Sequence, residues 1–256
     1  MSSYGIWLSA AGMKVNQHRQ TLLANNMANV NTTGFKHDLA VVTQRRVETQ
    51  EDPNGINAAH PVLDELAGGL NVRPSFHDFA QGNIEWTGKP LDVAVDGEGF
   101  LAVSDGNATR YTRDGQFTVN ETGELVLAVG DGRWRVLDDG GRRITLNDKG
   151  GPLSISANGT VRQGRVTVAR LGLFAAQNPQ GLSKTGANLF DAEDTAMTAR
   201  EGQFRPESRE ESNFDVMKGL VDMIDASRAY QMNATMIRLQ DQLTGRAVTD
   251  VGRSSG

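Results

Sequence analysis

Cysteine is missing from all 256 residues, so disulfides and thiolate metal sites are excluded. Long apolar runs are missing too: nothing approaches the roughly 18 residues of a membrane-spanning helix. The N-terminus lacks the basic segment, apolar stretch and small-residue cleavage site of a secretory signal, so we expect a chain made soluble in the cytoplasm, with no membrane insertion. Charge of one sign is not in excess either. The formal net charge is −5 and Lys and Arg are interspersed among Asp and Glu, which argues against a nucleic-acid surface. Aromatics make up only 6% of the residues, too few for a large enzyme-like interior.

What the chain does have is glycine, 29 residues of it, and apolar periodicity at both ends. Residues 4 to 30 read as a helix, with Ile6, Ala10, Met13, Gln17, Gln20, Ala24 and Met27 on one line and Leu8, Val15 and Leu22 on another. Asn213 to about Leu243 repeats the theme more strongly: Val216, Leu220, Met223, Ser227, Tyr230, Ala234 and Ile237 alternate by four and three, with Met217, Val221 and Ile224 alongside. Ser212 or Asn213 is the expected N-cap, Asp215 suits the positive end of the helix dipole, and Gly245 is the expected stop. An isolated amphipathic helix is marginal in water, so the two ends are expected to pair with each other and with other copies of the chain. An ordinary intramolecular core stripe is the alternative.

Between the ends the period changes to two. "LDVAVDGEGFLAVSDG" and the stretch from Arg110 to Leu146 alternate apolar and polar residues, cut by Gly, Asp and Asn every eight to twelve positions, which argues for an antiparallel β region from about Leu91 to Val168. "NETGE" and "DGG" suit tight turns needing positive φ. Trp86, Trp134 and Phe100 are expected to anchor this β-core. Arg110, Arg113 and Arg228 read as surface charges, with Arg113 pinning a turn beside Asp114 as the alternative. Residues 45 to 75 are polar and show no sustained period, as in a connector.

No chemistry-bearing constellation emerges. The histidines at 18, 37, 60 and 77 make no metal-binding pair, there is no phosphate loop or nucleophile elbow, and Glu210 and Glu211 are adjacent, so in a strand they point apart. No cofactor and no catalysis are expected.

One stretch asks for another explanation. "LLANNMANVNTTGFK" (22 to 36) gathers Asn25, Asn26, Asn29 and Asn31 where the first helical pattern is ending. Asn and the following "TTG" favour side-chain to backbone bonds and left-handed backbone, as at a helix end. Taken with "TGKPLDVAVDGEGFLAV", "RYTRDGQFTVNETGELV" and "ESNFDVMKGLVDMIDASRAYQMN", in that order along the chain, this stretch resembles the bacterial flagellar rod and hook family.

That resemblance implies a structural subunit of the flagellar basal-body rod, with terminal helices of many copies lining a tube around the export channel and the β region outside. It implies as partners other copies of the chain, neighbouring rod proteins and the flagellar type III export apparatus, with exit by that route and no cleaved signal. The rod that it implies spans the periplasm. A hook or distal-rod subunit, or a secreted glycan-binding β module, remain alternative readings.

The expected fold is α+β: terminal α-helices pairing as an assembly domain, with a central antiparallel all-β domain. The expected divisions are 1–44, a helical assembly segment; 45–84, an extended connector; 85–190, the β domain; 191–212, a return connector; and 213–256, the second helical segment. The resemblance implies that 172–190 leads back toward that segment, with Asn178-Pro179 and Gly181 fitting a turn and Leu182, Leu189 and Phe190 packing the returning chain. The candidate assembly residues are Trp7, Met13, Leu22, Asn25, Asn26, Met27, Asn29 and Asn31 at one end, and Val216, Leu220, Met223, Ile224, Tyr230 and Ile237 at the other.

Overall fold

The structure is a computed structural model describing residues 2–44, 69–147 and 150–254. Helix α1 spans Ser2–Ala28 and helix α2 spans Val216–Ser254, with antiparallel β-structure between them, so the fold is α+β. The chain divides into two compact units. One comprises Met1–Met27, Asp38–Phe76 and Asp215–Gly256; the other comprises Ala28–His37 and His77–Phe214.

In the first unit, α1 carries no acid in its first turn and no base in its last, so the helix dipole contributes little and packing must hold the helix. The packing is antiparallel. A Cβ placed on Gly5 would lie 2.5 Å from the Gln240 side-chain nitrogen, and one on Gly12 would lie 2.9 Å from that of Asn233. Two glycines one heptad apart thus receive two amides one heptad apart. The α2 residues on this seam, Gly219, Met223, Ala226, Tyr230, Asn233, Ile237 and Gln240, alternate by four and three and are all buried or half-buried.

The start of α2 differs from expectation. Asp215 is the N-cap, its Oδ1 accepting from the backbone N–H groups of Met217 (2.9 Å) and Lys218 (3.1 Å). Asn213 is unavailable because its Oδ1 accepts from the His37 backbone N–H (2.9 Å) and its Nδ2 donates to the Asp78 carbonyl (2.9 Å). Gly245 does not stop the helix, which continues to Ser254. A lone glycine costs only about 1 kcal/mol in a helix, and here Thr244 and Thr249 bond back to the carbonyls one turn before them.

This unit also holds strand Asp38–Gln44 paired with strand Leu70–His77, so β-structure enters both the expected N-terminal helical segment and the expected connector; residues 45–68 lie outside the described residues.

In the second unit, strand Phe100–Ser104 pairs with Thr109–Thr112, Arg135–Val136 and Leu173–Ala176. Its side chains alternate between two apolar layers: Leu101 and Val103 join Val93, Val95, Leu125 and Leu127, while Phe100 joins Leu182 and Phe190 on the other face. Burial on both faces explains why "FLAV" reads as a continuous apolar run. Phe79 closes the smaller layer, with ring centroids 5.5 Å from Phe100 and 5.4 Å from Phe190 at edge-on angles. Leu182, Leu189 and Phe190 are buried, as anticipated for the return path.

The β region runs well beyond Val168. Strand Gln203–Pro206 pairs with Val93–Asp96, and Ser208–Glu210 pairs with Ile84–Trp86, inside the stretch expected as a return connector. Pro206 and the charges of "RPESRE" mask the alternation there. Trp86 is not a core anchor: it is 72% exposed, whereas Phe100 is buried and Trp134 packs half-buried against the core.

Candidate assembly interface

The expected interface residues of α2 divide between two faces. Met223, Tyr230 and Ile237 lie half-buried on the seam with α1, while Val216, Leu220 and Ile224 point outward into water. The outward face is larger than the sequence line suggested. Met217 (73% exposed), Val221, Met232, Met236, Leu239 and Leu243 (64%) are exposed as well; Val248 is exposed too, but on the seam side, past the start of α1. Met217, Val221, Ile224, Arg228, Met232, Leu239 and Leu243 fall on one side of a 3.6-residue helix, a second period running beside the chosen one. The seam meanwhile takes glycines and amides. The pair thus mixes glycines and amides with Met223, Tyr230 and Ile237 between its helices, while a second set of large apolar groups on α2 is turned out.

On α1, Trp7 is exposed on one side while its ring closes against Gly69, where a Cβ would meet the indole at 2.5 Å, and it stacks on Tyr4 at 6.4 Å. Met13, Leu22 and Met27 are half-buried; Val15, on the second apolar line of the helix, and Asn16, which was not singled out, are buried.

The asparagine cluster separates by role. Asn26 is 1% exposed and bonds within the chain: its Nδ2 donates to the Asp38 carbonyl (2.8 Å) and its Oδ1 accepts from the Asp38 N–H (3.0 Å). This amide thus acts as a third strand-like partner for residue 38. Asn29 caps the turn after the helix, its backbone carbonyl accepting from Thr32 N–H (3.1 Å) and its Oδ1 from the Thr32 hydroxyl (3.2 Å). Asn25 and Asn31 lie on the surface.

Downstream of that turn is a second constellation, within the β-rich unit, which the sequence reading missed. Thr33, Gly34, Phe35 and Lys36 are all buried. The Lys36 ammonium lies 2.5 Å from Glu210 Oε1 and donates to the Ala80 carbonyl (2.7 Å); Arg113 reaches Glu210 Oε2 at 3.3 Å, and the Gly82 N–H donates to Oε1 at 3.0 Å. All three charged side chains are essentially sealed from water. Burial pushes the Lys36 and Arg113 pKa values down, and the Glu210 carboxylate opposes it for both. Arg113 is therefore neither a surface charge nor a turn pin. The turn is made instead by Asp114, whose Oδ1 accepts from Gln116 N–H (3.0 Å) and whose carboxyl burial pushes up to about 6. Arg110, too, is paired, with Asp191 at 2.8 Å. The sequence holds little local hint of the triad: Lys36 is the lone charge of "TGFK", but Arg113 stands beside Asp114 in "YTRDG" and Glu210 beside Arg209 and Glu211, as ordinary surface charges do.

Among the described residues no His, Asp and Glu side chains gather into a metal-holding group, and no helix is long and apolar enough to cross a membrane. The conspicuous feature is the exposed apolar face of α2.

Three family models match: the flagella basal body rod protein model over residues 9–36, the flagellar hook protein FlgE/F/G D1 domain over 94–163, and the flagellar basal body rod FlgEFG protein C-terminal model over 207–249. The flagellar basal-body rod protein FlgF of Caulobacter vibrioides is 35% identical over 237 residues, covering 91% of each chain. The flagellar basal-body rod protein FlgG of Borreliella burgdorferi is 32% identical over 270 residues, covering 94% of this chain and 96% of its own, and that of Bacillus subtilis is 30% identical over 261, covering 93% and 95%.

Proposed function

The chain belongs to the flagellar basal-body rod protein family, and from that membership we propose that it is a structural subunit of the rod, joined to its neighbours through the outward apolar face of its terminal helices. The observation that carries this reading is the exposure of Val216, Met217, Leu220, Val221, Ile224, Met232, Met236, Leu239 and Leu243 along one helix. Fully burying such a side chain contributes about 1.5–3 kcal/mol, so covering the half of each that faces water contributes roughly 1 kcal/mol per residue. The sum, about 10 kcal/mol, is of the size needed to offset the roughly 4–15 kcal/mol lost in fixing one protein against another.

In this proposal the two terminal helices form the assembly domain, and the residues that bury between subunits are the outward set on α2 together with Trp7 on α1. The partners are further copies and neighbouring rod proteins, in contacts that repeat head to tail and so grow an open helix. The β-rich unit faces away from the axis. The rod so built spans the periplasm and encloses the export channel. The subunit reaches it through the type III apparatus without a cleaved signal, and the role involves no catalysis.

The test is to replace Leu220, Ile224 and Leu239 together by Ser in the chromosomal copy. The variant should keep its β-fold and helix content by circular dichroism yet be missing from purified basal bodies, with loss of swimming. Incorporation at the wild-type level would overturn the proposal.

A further inference from the structure

The stretch from Gln203 to Phe214 is the last part of the β-rich unit to emerge from any process that delivers the chain N-terminus first. It supplies the partner strand for two others. Gln203–Pro206 pairs with Val93–Asp96 and Ser208–Glu210 with Ile84–Trp86, and among the described residues neither ladder has a third strand. The Gly34 N–H donates to the Glu210 carbonyl (2.7 Å), and Asn213 N–H donates to the Phe35 carbonyl (3.3 Å), so the same stretch pins the segment that follows α1.

Its carboxylate matters more than its backbone. Lys36 and Arg113 lie 174 and 97 positions before Glu210, and both converge on it at less than 4% exposure. Asp78 and Glu98 also act on these cations, but both carboxylates are in touch with water. Two cations share one buried anion, so removing that anion leaves two uncompensated charges in the interior. An unpaired buried charge is far costlier than the pair, and a chain that has not yet presented Glu210 lowers its free energy by keeping both cations hydrated.

We propose that Glu210 is a completion lock: the β-rich unit cannot close around Lys36 and Arg113 until residue 210 has arrived, so a partly delivered chain stays open over residues 28–202. This device is independent of the rod reading and would hold for the isolated chain. Its consequence is that domain closure reports on chain completeness, protecting against a prematurely folded N-terminal portion.

The test compares full-length variants by urea unfolding and by hydrogen exchange of the Leu101–Val103 amides. Glu210→Gln keeps the shape and removes the charge, and should lower the folded-to-unfolded ratio by about 100-fold or more. The Lys36→Met, Arg113→Met, Glu210→Met triple variant removes all three charges and should return to within roughly tenfold of the native chain. A chain ending after Pro206 should show no protected core, and the same chain carrying Lys36→Met and Arg113→Met should regain protection. Any of three results overturns the proposal: Glu210→Gln stability within about tenfold of native, native-like protection in the shortened chain, or equal lack of protection in the shortened chain with and without the two Met substitutions.

Discussion

Gly34 meets two separate demands, and replacing it by Ala puts a magnitude on each. Its φ is +67°, a left-handed conformation that costs an L-residue with a side chain about 1–2 kcal/mol. A Cβ there would also lie 2.5 Å from the Arg113 carbonyl carbon, 2.6 Å from Asp114 N and 2.7 Å from the Arg113 carbonyl oxygen. These are backbone atoms and cannot swing away, so either the segment carrying Phe35 and Lys36 or the turn carrying Arg113 must move. Both routes strain the contacts to Glu210. Overpacking of this kind costs a further ~1–3 kcal/mol, for a total of about 2–5 kcal/mol. Gly141 is the matched control: its φ is +75°, but nothing lies within 4 Å of the position a Cβ would take. Gly141→Ala should therefore show the conformational cost alone, about 1–2 kcal/mol. Urea unfolding with linear extrapolation, run on both variants, reads the difference directly. Equal costs for the two substitutions would refute the close-approach argument.

Two further outcomes are expected. Asp114 is 1% exposed and its pKa is raised from 3.8 to about 6, so the folded state holds that proton more tightly than the unfolded one. Its stabilising contribution is complete below about pH 3.8 and is lost as pH rises through about 6, up to roughly 3 kcal/mol in all. Asp114→Asn keeps the acceptor for Gln116 N–H and should gain on the native chain between pH 4 and 7 in urea midpoints; a pH-independent difference would contradict the assignment. Asn26→Leu removes both bonds to the Asp38 backbone at a position that is 1% exposed, which should cost ~2–4 kcal/mol. Hydrogen exchange of the Asp38 amide should speed up correspondingly, and unchanged protection would show that Asn26 is not what holds that strand.

How far the sequence carried the interpretation depended on the range of the interaction. Turn chemistry needs only neighbours, and "NETGE" and "DGG" do form turns with Gly123 and Gly141 at positive φ. Asn178, Pro179 and Gly181 likewise make a short 3-10 turn capped by the Asn178 side chain. Strands were legible where one or both faces bury apolar residues, as from Val93 to Val103. They were hidden at Gln203–Pro206 and Ser208–Glu210, where the strand alternates charges around a proline and is recognised only by the partner it pairs with. The same limit explains Trp86. Its composition suggests a core anchor, but its strand is the end member of a two-stranded ladder, which leaves the indole in water.

The amino-acid sequence by itself determined the helices at both ends, the β-rich middle, the absence of disulfide and thiolate chemistry, and the family, because each is written in spacing, composition or ordered local segments. Tertiary structure decided which face of α2 turns outward, since two periods run side by side on that helix and only the approach of Gly5 to Gln240 and Gly12 to Asn233 selects between them. It also decided that Asn26 is bound within its own chain and that Lys36, Arg113 and Glu210 meet. Burial and charge pairing are properties of where a residue ends up in space, and 174 intervening positions leave no mark of that on its immediate neighbours.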